Sequence, residues 1–135
     1  MKREVERFLK AIGYPTDELP PGEGAVSLKV DGRAVLVCEA AGRLVLSCVV
    51  VSEPDEETVV RFAGYAAGRL LKEEAVLAWD QSLSALILWQ DVPAASDEAV
   101  LRRFFEVFAT SADWWFARAL DDETVSRIPE MMIRP

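Results

Sequence analysis

Histidine is absent from this 135-residue chain. That removes the side chain that most often serves as a general base near neutral pH and most often binds a transition metal. Cysteine is scarce: Cys38 and Cys48 are the only two, and their spacing makes no Cys-x-x-Cys site. Neither a Gly-x-Ser-x-Gly elbow nor a P-loop occurs. The glycines around Gly22 follow Pro20-Pro21 and lead into a strand, so they form no phosphate loop. Acidic residues are plentiful, but they stand at helix starts, turns and solvent faces. Asp80 and Asp91 end two strands of one hairpin and in principle could pair as an acid–base couple; solvation of strand ends accounts for them better. No enzyme activity, cofactor or metal is expected.

Long apolar runs are missing too. Nothing approaches the ~20 residues needed to span a bilayer. Met1-Lys2-Arg3-Glu4 opens an amphipathic segment and not a secretory apolar core, so the expected compartment is the cytoplasm. Basic clusters longer than a pair do not occur. With 15 basic against 23 acidic residues the net charge is −8, which argues against nucleic acid and anionic membrane as partners.

What is present is a composition 51% hydrophobic, enough for one packed domain and too apolar for disorder. The chain is organised around Ser52–Lys72. Ser52 with Asp55 predicts a capping-box-like helix start, Pro54 suits a first turn, and Asp55, Glu56 and Glu57 favour the positive end of the dipole. Val59, Phe62, Ala63, Ala66 and Leu70 make one helical face. Val60, Gly64, Ala67, Gly68 and Leu71 make a second, built mostly from small residues. A helix-interior glycine costs about 1 kcal/mol against alanine, so another backbone is expected close by. Two readings stand open: packing on the chain's own sheet, or a helix-to-helix dimer seam aided by Leu77 and Trp79.

In order along the chain, residues 1–12 form an amphipathic helix with Val5, Phe8, Leu9 and Ile12 on one face, ended by Gly13 and Pro15. Residues 14–24 are a loop by composition. Val26, Leu28 and Val30 alternate with polar residues as a strand. Asp31-Gly32 and Ala41-Gly42 are two-residue turns that make residues 25–51 a three-stranded meander. That register pairs residue 38 with 45 and 48 with 35, so the two cysteines cannot bridge. The third strand, residues 43–51, is apolar on both faces, so something covers both at least in part. Residues 75–80 and 85–91 form a second hairpin carrying Trp79 and Trp89. Ser96 is expected to cap a helix reaching about Leu120, with Leu101, Phe104, Phe105, Phe108, Ala112, Trp115, Phe116 and Ala119 as its core face. Residues 121–135 read as a mobile tail. The fold class is α+β in the order αβββαββα, with helices on one face of a twisted, mostly antiparallel sheet.

That order, with the acidity and the missing catalytic residues, resembles the class I chaperones of bacterial type III secretion. The resemblance covers residues 1–120. It is closest over Val59 to Leu71, Ala75 to Asp80, Leu86 to Pro93, and the final helix with Phe108 and Trp115 seven apart. Gly68-Arg69-Leu70 stands where the family often has an asparagine. The resemblance implies a homodimer through the central helix that holds the N-terminal segment of a secreted effector non-globular before export, with the secretion ATPase as a further partner. On the first helix and first strand, Val5, Phe8, Leu9, Val26, Leu28 and Val30 are the expected effector-binding lining, because an edge strand beside a helix makes a groove. Two other readings are a regulatory or scaffold module, including a heterodimer subunit, and a small-molecule domain lined by tryptophans.

Overall fold

The computed structural model describes residues 3–14, 25–69, 72–93 and 96–126. The expected loop at 15–24 and the tail from 127 onward lie outside the described residues. Helix α1 (Arg3–Ala11) ends where Gly13 takes a left-handed φ of 78°. The Tyr14 N–H reaches the Leu9 carbonyl at 2.9 Å and the Gly13 N–H reaches Lys10 at 3.1 Å, which is a Schellman stop.

Strands β1 (Ala25–Val30), β2 (Arg33–Ala40) and β3 (Arg43–Ser52) form the expected meander. Both turns place two residues at positive φ, Asp31 and Gly32 (51° and 80°) and Ala41 and Gly42 (52° and 76°). That geometry matches the twist of the flanking strands. Helix α2 (Glu56–Arg69) is capped by Asp55, whose Oδ1 accepts the Thr58 N–H at 2.7 Å. Ser52, expected at the cap, is instead the last residue of β3. Bonds from Thr58 hold the Asp55 carboxyl below its ordinary range.

Strands β4 (Val76–Asp80) and β5 (Ala85–Val92) form the second hairpin. Helix α3 (Glu98–Ser126) is capped by Asp97, which accepts the Val100 N–H at 2.9 Å, and not by Ser96. It also runs past Leu120, so the first six residues of the expected tail are helical.

The two hairpins join through β3 and β5 into one antiparallel five-stranded sheet of order β1-β2-β3-β5-β4. Its core face carries Leu44, Leu46, Leu88 and Val92, all fully buried under Val5, Phe8 and Leu9 of α1 and Leu101, Phe108 and Trp115 of α3. The aromatic stripe of α3 is therefore core. The Phe62 ring of α2 stacks on Trp115 at 5.8 Å. Arg33 fastens the β1–β2 hairpin to α3, pairing with Asp113 at 2.6 Å and lying 4.1 Å over Phe116.

Cys38 pairs with Val45 as expected. It is half-buried, while Cys48 is buried in the core, and both are free thiols. Burial pushes the Cys48 thiol from about 9.0 up to about 11. Between those values the unfolded chain has already lost this proton and the folded chain keeps it. Folding therefore weakens as pH rises from about 9 to about 11. Urea unfolding should show this extra loss of stability in the wild type, and Cys48→Ala should lack it. Parallel pH profiles for the two proteins would show the shift has no consequence.

Candidate protein-docking surfaces

Strand β1 is an edge strand, as its alternation predicted. In a two-residue hairpin the residues flanking the turn, here Val30 and Arg33, are a hydrogen-bonded pair. Alternation from there directs the backbone groups of Val26, Leu28 and Val30 toward β2. Those of Ala25, Ser27 and Lys29 point to the other side, where no described strand pairs with β1.

Most of the side chains expected to line a groove beside that edge are buried. Val5, Phe8 and Leu9 are fully buried, Val26 and Leu28 are 6% and 1% exposed, and only Val30 is half-buried. The Phe8 ring meets Phe105 edge-on at 6.1 Å. Arg102 donates to the Ala11 carbonyl at 3.2 Å, which satisfies an orphan acceptor at the end of α1 and ties it to α3. Five of the six residues thus belong to the buried core in which α1 packs on the sheet. A segment added at the β1 edge would meet backbone first.

The second surface is the outer side of α2. Val60 is 67% exposed, Trp79 on β4 is 51% exposed, and Ala67 is exposed. Gly64 and Gly68 are open as well: a Cβ built on either would meet nothing within 4 Å. The reading in which these glycines admit the chain's own sheet is therefore excluded. Leu77 is half-buried, and Leu71 lies outside the described residues. Beside the stripe, Ala63, Ala66, Leu77 and Trp79 line an open cleft of about 340 Å³ between α2 and β4.

A third surface was not singled out from the sequence. On the sheet face away from the core, Leu36, Ser47, Trp89 and Val76 form a row in register across four strands. Leu36 is 42% exposed, and Val49 and Val76 are each 40% exposed. The signal for it was the doubly apolar β3, whose second face is only partly covered.

Polar chemistry is dispersed. Asp80 accepts bonds from the Ser82 hydroxyl at 2.7 Å and the Leu83 N–H at 3.1 Å. The Ser82 bond, then the Leu83 bond, holds its carboxyl below the ordinary range. Asp91 pairs with Arg43 at 2.9 Å. The two acids serve a turn and an ion pair and do not meet. No described helix is long and apolar enough to cross a membrane.

An open strand edge with apolar patches on one helix and one sheet face defines a protein-binding module. Residues 4–115 match the Tir chaperone protein (CesT) family, and the chain belongs to that family of chaperones, which are not enzymes. Among solved structures it is similar to a chain of the ExsC–ExsE complex, at 24% identity over 85% of this chain and 90% of that one, with a TM-score of 0.60. A chain of the HopA1–SchA chaperone–effector complex matches at 19% identity over 82% and 88%, with a TM-score of 0.58. A chain of the heterodimeric ExoU–SpcU complex from the type III secretion system of Pseudomonas aeruginosa matches at 14% over 73% and 86%, with a TM-score of 0.56. At these identities the likeness establishes the fold. No curated protein matches the chain.

Replacing Leu28 by aspartate puts a carboxylate without a partner at a site 1% exposed, a cost of several kcal/mol. Leu28→Asp should lose its cooperative thermal transition. A folded Leu28→Asp protein with wild-type melting would mean this residue is not core.

Proposed function

We propose that this chain is a cytoplasmic chaperone that holds the N-terminal segment of a type III secreted effector in a non-globular state, as a homodimer formed through α2. The carrying observation is the open β1 edge in a member of this family. Its outward N–H and C=O groups at Ser27 and Lys29 can pair with an extended segment of any sequence. Side chains that then pack beside α1 would supply specificity. Val5, Phe8 and Leu9 of α1, with Val26 and Leu28 of β1, are proposed as the apolar packing that holds this edge beside α1, with Val30 at its more open end. The relatives support the reading: one is a chain of a chaperone–effector complex, and another belongs to a heterodimeric complex of the type III secretion system. Three or four apolar side chains buried at about 1.5–3 kcal/mol each could sustain tight binding after ordering costs.

Ser27→Pro tests the edge. Its N–H points away from β2, so proline removes an outward donor and no ladder bond. Binding of an effector's N-terminal segment, measured by calorimetry against an effector encoded beside this chain, should fall at least about tenfold, since several backbone pairs depend on that edge. Melting should stay near wild type. Unchanged affinity would place the cargo on another surface.

For the seam, the support is two glycines that pack against nothing among the described residues. The proposed contact comprises Val60, Gly64, Ala67, Gly68 and Leu71, with Leu77 and Trp79 beside it. Gly68→Leu enters open space in the monomer and should stabilise α2 by up to about 1 kcal/mol through propensity alone. In a helix-to-helix seam the same side chain forces the backbones apart. Sedimentation should therefore show weaker dimerisation from a protein that is no less stable. A Gly68→Leu dimer of unchanged affinity would move the seam off α2.

A further inference from the structure

Helix α2 has a single fully buried residue, Phe62, and its strand contacts are chiefly with the edge strand β4. Its C-terminal half is held instead by a polar–aromatic cluster on α3. The Arg69 guanidinium lies 3.8 Å over the Trp114 ring, and that of Arg118 lies 4.7 Å from the same ring. Tyr65 meets Trp114 edge-on at 6.2 Å. Arg69 also pairs with Glu73, whose side chain is only 9% exposed. The other Glu73 oxygen accepts the Trp115 indole N–H at 3.3 Å. The backbone supports this arrangement, because the Lys72 and Glu73 N–H groups both reach the Arg69 carbonyl, at 2.9 and 3.2 Å.

These contacts depend on one another. A nearly buried carboxylate is tolerated only while its cation stays in place. The cation is held there by stacking on an indole, a contact that needs the planar guanidinium. Arg69 directly follows Gly68 of the proposed seam, so a change in the seat of α2 on α3 rotates Val60, Gly64 and Gly68 relative to Trp79 on β4.

We propose that Arg69, Glu73, Trp114 and Trp115 form a latch that fixes the seat of α2 on α3 and thereby sets the affinity of self-association. The second half of this statement rests on the reading of α2 as the seam; the first half does not. Arg69 is a positioning residue here, and no partner need touch it.

Amide hydrogen exchange on the full-length protein separates the two halves. In Arg69→Met, exchange over Phe62–Arg69 should quicken by about tenfold or more, as expected for local opening, while amides of β3 and β5 stay at wild-type rates. Sedimentation should show dimerisation weakened by about the same factor. Arg69→Lys keeps a cation for Glu73 but loses the planar stack, so it should fall between the two. It also carries the comparison if Arg69→Met does not fold. Unchanged exchange in α2, or acceleration in α2 and the sheet alike, overturns the latch. Faster exchange in α2 with unaltered dimer affinity overturns its control of association. A wild type that stays monomeric at all concentrations removes the seam itself and leaves exchange to decide the latch.

Discussion

The pairing of β3 with β5 is the constraint on which the remaining structure depends. The chain makes a three-stranded meander and then, after α2, a two-stranded hairpin. A lone hairpin is marginal in water. Strand β3 satisfies backbone groups on both sides, with β2 and with β5. It also presents Leu44, Leu46, Cys48 and Val50 to the core, all buried. Only when the two pieces are joined is there a face broad enough to receive both α1 and α3. The bulge between Val49 and Val51 falls in this same pairing. A bulge there increases the local twist.

Much of this was legible because it is local. Asp31-Gly32 and Ala41-Gly42 specify their turns by backbone conformation alone, and a two-residue turn fixes the register. The pairing of Cys38 with Val45 therefore followed from the turn. Gly13 marked the end of α1 for the same reason. The helix caps were less legible. Ser52 and Asp55 both suit a cap, as do Ser96 and Asp97, and the choice depends on where the strand before each helix ends. The joining of the two hairpins is a long-range contact with no local signature. Periodicity identified the apolar faces of α1 and β1 correctly, but it cannot say whether such a face lines an open groove or closes a core. Val5, Phe8, Leu9, Val26 and Leu28 close one. On α2 the glycine pair, which costs stability inside a helix, drew attention to a face that the structure leaves exposed at Gly64 and Gly68.

The three surfaces differ in the physics of recognition. The β1 edge offers directional backbone groups and little side-chain information, which suits pairing with an extended segment of any sequence. The α2 stripe offers close backbone approach at Gly64 and Gly68, flanked by the bulk of Val60 and Trp79. That combination favours one complementary surface over many. The row of Leu36, Ser47, Trp89 and Val76 carries no charged side chain, and its attraction is almost wholly hydrophobic. A chain carrying all three has spent core-forming residues on its outside.

Such a chain must stay dispersed before it meets a partner. Exposed apolar patches and an open strand edge promote self-aggregation. Two features of this sequence oppose that without covering the surfaces. The net charge of −8 repels like copies over about a Debye length, roughly 8 Å at physiological salt. Lys29, exposed on the β1 edge, places an isolated charge where another edge strand would pair. Both are electrostatic, so salt weakens them. Hydrophobic contact and backbone pairing hardly respond to salt over the same range. The balance between dispersal and binding in this protein is therefore set by opposing terms of different range: repulsion acts first, at a distance, and apolar contact decides once a complementary surface has come close.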